Sequence, residues 1–169
     1  NLLILSNKSL KANYTNEGGV GYFRVLKNIM GMWLVNELRK EVPVSFEELA
    51  EKLPLTTYNQ VFDVNDTSLT APKSMKEALL NLLKDNMPTN DIDLFASLYH
   101  SLVYCYKKSI EELEGITDKK YKKLYVVGGG AKNVYLNNLI AQYTGKEVVA
   151  LPIEATALGN IKVQMKVSK

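Results

Sequence analysis

The sequence predicts a helix-rich α/β domain, and two observations carry that class. In the last third, an apolar run Lys123-Leu124-Tyr125-Val126-Val127, three consecutive glycines, a helical stretch and a second apolar run Glu147-Val148-Val149-Ala150 follow in the order of a βαβ unit. Ahead of it, apolar residues recur at helical spacing in stretches punctuated by capping boxes, proline and glycine. The 169 residues suffice for one domain with a real core. With 46% hydrophobic and 23% charged residues, disorder and collagen-like repeats are excluded.

The elements follow in order. Residues 1–12 hold an apolar run from Leu2 to Leu5 and a polar turn, Ser6-Asn7-Lys8-Ser9, and read as an edge strand or the tail of a hairpin. Thr15-Asn16-Glu17-Gly18-Gly19-Val20-Gly21 reads as a glycine-rich loop leading into a helix over 22–40, where Leu26, Met30, Trp33, Leu34 and Leu38 recur. Ser45-Phe46-Glu47-Glu48 is a capping box with Val44 and Leu49 as its staple; it opens a short helix closed by Pro54. Residues 54–72 look irregular, with a short strand at 61–64. Ser74-Met75-Lys76-Glu77 opens a helix to about residue 84. A long helix then covers 91–114, turning Leu94, Leu98, Leu102, Cys105, Ile110 and Leu113 inward, with Gly115 as its C-cap. Residues 123–127 read as a buried strand. A helix over 133–143 ends at Gly145, a second strand covers 147–150, Pro152 interrupts, and a last helix covers 154–167.

Composition narrows the function classes. The net charge of +3 is too weak to argue for nucleic acid. No apolar run approaches the roughly 20 residues of a membrane helix. One cysteine, Cys105, and one histidine, His100, exclude a disulfide scaffold and disfavour a Cys/His metal site or nucleophile pair, and they point to the cytoplasm. Nothing resembles a catalytic triad or a metal-binding carboxylate cluster, so no catalytic or metal-ligating residue is named. His100 and Cys105 read as structural, and Glu111, Glu112 and Glu114 as a solvated face. The start, Asn1-Leu2-Leu3-Ile4-Leu5, lacks a methionine or a charged leader and reads as cut from something longer.

Gly128-Gly129-Gly130 is the strongest chemical signal. Ligands of open α/β sheets sit outside the carboxyl ends of strands, and glycines there let a ligand approach the backbone. N–H groups at the following helix start favour an anion or a polar ring. A ligand-free tight turn is the alternative. The third position of a dinucleotide fingerprint is Asn133, no acid ends the second strand, and no G-K-[ST] follows, so neither a dinucleotide site nor a P-loop fits. A mononucleotide site remains, without a lysine for the outer phosphates. The second signal is Asn28, Met32 and Asn36, spaced to share one helical face. Their amides could bond a sugar or nucleotide, or simply be a solvated flank.

T-N-E-G-G, F-R-V-L-K-N-I-M-G-M-W-L, V-V-G-G-G-A-K-N-x-x-L-N and P-I-E-A-T-A-L-G-N-I occur in that order and together span nearly the whole chain. They resemble the C-terminal part of the FGGY family of carbohydrate kinases, and within it the members that act on L-rhamnulose. The resemblance implies a ribonuclease-H-like, actin-like ATPase fold of two lobes around a cleft. Residues 1–169 would be one C-terminal, nucleotide-binding domain, its N-terminal lobe elsewhere. The implied reaction is transfer of the ATP γ-phosphate to the 1-hydroxyl of L-rhamnulose with Mg2+, the ion held mainly by the other lobe. The resemblance assigns nucleotide binding to Gly128, Gly129, Gly130 and Asn133, with Gly129 at the adenine nucleotide, and substrate binding to Asn28. Asn36 falls where the family often has glutamine near ATP; its shorter amide reaches less far. The loop between Gly19 and Arg24 is about a residue shorter than the family pattern. The family's phosphate loop and general-base Asp precede the region where this chain begins, so the chain alone is expected to be inactive. Two other readings stay open: a non-catalytic nucleotide- or sugar-sensing module, and a kinase for another sugar such as L-fuculose.

Overall fold

The computed structural model describes residues 3–19, 21–151 and 155–167. Helix α1 (Asn7–Lys11) comes first, not a strand: the Ser6 hydroxyl accepts from the Ser9 N–H and the Ser9 side chain returns the bond, so the polar turn is itself a capping box. Leu2 lies outside the described residues, as do Val20, Pro152 and Glu154. The glycine loop and the start of the expected helix are instead an antiparallel hairpin. Strand β1 (Thr15–Gly18) pairs with β2 (Phe23–Leu26) in the register Gly18↔Phe23 to Thr15↔Leu26. Gly21, at φ +74°, makes the reversal between them. Phe23 and Val25 favour the pleated chain; Leu26 and Met30 match helical spacing only by coincidence. Helix α2 (Trp33–Glu41) starts beyond Gly31.

The capping signals mark two more helices. Ser45 accepts from Glu48 N–H at 2.9 Å to open α3 (Phe46–Lys52), which passes into a 3-10 turn that tolerates Pro54. Ser74 accepts from Glu77 N–H at 3.1 Å to open α4 (Met75–Leu82). Residues 61–64 form no strand. The Phe62 N–H donates to Ser101 Oγ at 3.0 Å, and the Gln60 carbonyl accepts from Ser97 Oγ at 2.7 Å. The backbone is thus satisfied by side chains of the long helix, while Phe62 and Val64 still fill the core.

That helix, α5 (Asp91–Thr117), runs through Gly115 and stops at Asp118 in the left-handed region, φ +52°. Gly115 costs about 1 kcal/mol against alanine. Leu94, Phe95, Leu98, Tyr99 and Leu102 are buried on α5 against Leu34, Val35 and Leu38 of α2 and Met75 and Leu79 of α4. Each such side chain contributes roughly 1.5–3 kcal/mol. Cys105, Ile110 and Leu113 are only half-buried.

Strand β3 (Lys123–Val126), helix α6 (Val134–Thr144) and strand β4 (Glu147–Ala150) form the expected parallel βαβ unit, in register Lys123↔Glu147 to Val126↔Ala150. Gly145 is the left-handed C-cap of α6. Strand β3 is not buried on both faces. Leu124 and Val126 pack toward the core, whereas Tyr125 is 62% and Val127 50% exposed. Helix α7 (Ala155–Val167) closes the described chain. Among the described residues no helix is long and apolar enough to cross a membrane.

Candidate functional site

The site grows from the turn after β3. Gly128 sits at φ +76°, ψ −158°, a region that only glycine enters without strain. Residues Gly129–Lys132 then form a 3-10 turn, with Ala131 N–H donating to the Gly128 carbonyl and Asn133 N–H to that of Gly130. Among the described residues, a Cβ placed on Gly129 would meet no atom within 4 Å, and one on Gly130 would make ordinary contacts at 3.8 and 3.9 Å. Packing within the chain therefore does not demand glycine at 129. The leading N–H groups of the turn have no partner inside it.

Two asparagines peg this turn. Asn133 caps α6, its Oδ1 accepting from Leu136 N–H at 2.9 Å, while its Nδ2 donates to the Tyr99 hydroxyl at 2.9 Å. Asn137, one turn on, donates to the Ala131 carbonyl at 2.9 Å. The glycines are thus tied to α6 and through Tyr99 to α5. Tyr99 meets Tyr135 edge to face, centroids 5.5 Å apart. Burial, with the neighbouring Tyr143 and Tyr99, pushes the Tyr135 hydroxyl up to about 12, so it stays protonated at neutral pH.

A cleft of about 710 Å³ opens beside the turn, a size suited to a small ligand. Gly129, Gly130, Lys132 and Asn133 form one side; Met32 at the N-cap of α2, Asn36 of α2 and Phe46, Glu47, Leu49 and Ala50 of α3 contribute the other. The structure therefore brings Asn36, Gly129, Gly130 and Asn133 together across about a hundred residues of sequence. Gly128 shapes the turn without lining the cleft. Asn28 is in irregular chain ahead of α2, exposed and off the cleft, so the shared helical face with Met32 and Asn36 does not form. The hairpin has taken the residues that the helix would have needed.

Sequence reasoning missed Phe46, Tyr135 and Lys132. Lys132 stands in the motif itself and lines the cleft, so the site does not lack a lysine. Glu47 is the one acid on the wall; its own N–H and the Ser45 hydroxyl hold its carboxyl below the usual range. Among the described residues no group of three or more His, Cys, Asp or Glu side chains gathers within reach of a metal ion. His100 lies on α5, with Nδ1 2.6 Å from the Tyr143 hydroxyl. Burial holds its pKa below the usual range, in keeping with a structural role. Glu114, taken for a solvated acid, is only 7% exposed. It accepts from Lys146 and Lys120 at 2.6 and 2.9 Å and from Tyr121 N–H at 3.0 Å.

Residues 2–167 match the C-terminal domain of the FGGY family of carbohydrate kinases. A protein named rhamnulokinase from Oceanobacillus iheyensis is 37% identical over 168 residues, covering 96% of this chain and 36% of the relative. One of the same name from Bacillus subtilis (strain 168) is 37% identical over 173 residues, covering 98% and 36%. Another, from Klebsiella pneumoniae (strain 342), is 39% identical over 163 residues, covering 93% and 33%. The chain spans about a third of the length of these relatives.

Proposed function

This chain belongs to the FGGY family of carbohydrate kinases, and on that premise we propose that it is the nucleotide-binding lobe of an ATP-dependent kinase for L-rhamnulose. The sugar follows from the names of the relatives. The observation that carries the nucleotide assignment is the convergence of the glycine turn, Asn36 and Asn133 on one cleft. In this reading residues 1–169 are a single domain of the actin-like fold, and a second lobe closes over the cleft.

The chain's own residues bind and orient. The backbone at Gly129 and Gly130 lets the adenosine end of ATP approach closely, and the leading N–H groups of the turn bond its polar atoms. Asn36, exposed on the cleft, offers an amide donor and acceptor. Asn133 already uses its amide to cap α6 and hold Tyr99, so it acts by fixing the turn. Lys132 supplies positive charge at the rim for a phosphate or ribose oxygen. Asn28 lies outside this cleft, and its proposed part in holding the sugar rests on the family resemblance alone.

Mg2+ supplies charge neutralisation to phosphoryl transfer when bound. The described residues do not fit it, for no group of three or more His, Cys, Asp or Glu side chains among them gathers to hold an ion. The general base and the main grip on the outer phosphates belong to the second lobe, so the 169-residue chain alone is inactive. The deciding experiment is ADP release by the full-length protein with L-rhamnulose, L-fuculose or no sugar. Release with L-rhamnulose alone is the expected result. Release with L-fuculose alone would reassign the sugar, and no sugar-dependent release from folded protein would overturn the kinase in favour of a sensing module.

A further inference from the structure

Phe46, the first residue of α3, lines the cleft with 42% of its surface exposed. The ring is nevertheless held. The Arg39 guanidinium lies 4.0 Å from its centroid, and Arg39 Nε donates to the Val44 carbonyl at 2.7 Å. Phe46 is a wall residue of the cleft and Arg39 is not. The guanidinium occupies one face of the ring, and the residue still keeps 42% of its surface open on the wall of the cleft. The other aromatic rings of the wall are committed elsewhere: Tyr99 is fully buried and holds Asn133, and Tyr135 packs edge to face on Tyr99.

A flat apolar face and the leading N–H groups of a helical turn on one cleft can stack a heteroaromatic base and bond its edge together. Resting on the nucleotide reading above, we infer that Phe46 is the base-stacking platform of the cleft and that Arg39 is its positioning residue. The cation–π contact fixes the ring before the base arrives, so little rotamer freedom is lost on binding. Stacking tolerates any purine, so this contact supplies affinity for the base while hydrogen bonds at its edge supply the choice among bases.

The test is steady-state kinetics of the full-length protein with L-rhamnulose saturating and ATP varied. F46A is expected to raise the ATP KM about tenfold with kcat within about twofold. F46L keeps apolar bulk without a flat face, and its KM is expected to rise about fivefold. F46W restores the face and is expected to stay within about twofold of the parent. R39M is expected to raise the KM about threefold alone and to add nothing to F46A, because it acts only through the ring. Gly129→Val is the control for the cleft itself. A raised KM in Gly129→Val with an unchanged KM in F46A and F46L overturns the platform and leaves the nucleotide reading standing. An unchanged KM in all of them overturns the nucleotide reading of the cleft. Additive effects of R39M and F46A overturn the positioning role of Arg39.

Discussion

Two adjacent glycines have different physical duties. Gly128 is required by its backbone, at φ +76°. Gly128→Ala is expected to cost about 1–3 kcal/mol, read as a lower urea midpoint. Gly129 has room for a side chain in the folded chain. Gly129→Ala is expected to change stability by no more than about 0.5 kcal/mol, while Gly129→Val raises the ATP KM of the full-length protein. Equal loss of stability at both positions would remove the distinction. Asn133 can be divided in the same way. N133A loses the cap and the bond to Tyr99, an expected cost of about 1–2 kcal/mol in urea unfolding. N133D keeps the acceptor for Leu136 N–H and forfeits only the donor to Tyr99, so its midpoint falls between the two.

At the scale of elements, what was legible followed from local chemistry. The serines at 45 and 74 mark helix starts because a hydroxyl three residues ahead of a free N–H is a local event. The βαβ unit was legible because glycine, asparagine and a second glycine punctuate it. The hairpin over 15–26 was not, since Leu26 to Trp33 satisfies two periodicities and only pairing with β1 decides between them. Residues 61–64 misled for a related reason: their partners are Ser97 and Ser101, some forty residues away. Glu114 ties the end of α5 to the segment leading into β3 and to the start of β4. Lys146, then Lys120 and Tyr121 N–H, hold its carboxyl down to about 2 from an ordinary 4.5. A depressed folded-state value means that this stabilisation is full above pH 4.5 and is lost as pH falls toward about 2. Glu114→Gln should therefore lower the urea midpoint at pH 7 and flatten its decline across that window. A variant curve parallel to the parent's would exclude the linkage.

Across the whole molecule, stability is centred on α5, which buries side chains against α2, α6 and the 3-10 turn that follows α3. The hairpin is attached differently. Tyr14 donates to the Ser109 carbonyl, Lys27 pairs with Glu112, and Lys27 also lies over the Tyr14 ring. These are few and partly exposed ties, so amide hydrogen exchange should be fast in β1 and β2 and slowest in the middle of α5. Lys27→Ala should accelerate the hairpin further and leave α5 unchanged; equal protection in both would show that the hairpin shares the core's cooperativity. The cleft was half legible at this scale. Its glycine side stands in one motif, whereas Phe46 is separated from that motif by more than eighty residues and meets it only through the tertiary fold. Trp33, the single tryptophan of the chain, adjoins the cleft residue Met32 in sequence and precedes the cleft residue Asn36 by about one helical turn, with 42% of its surface open to solvent. The molecule thus carries its own optical gauge: a change in indole emission on adding ADP would count occupied clefts in the unlabelled protein.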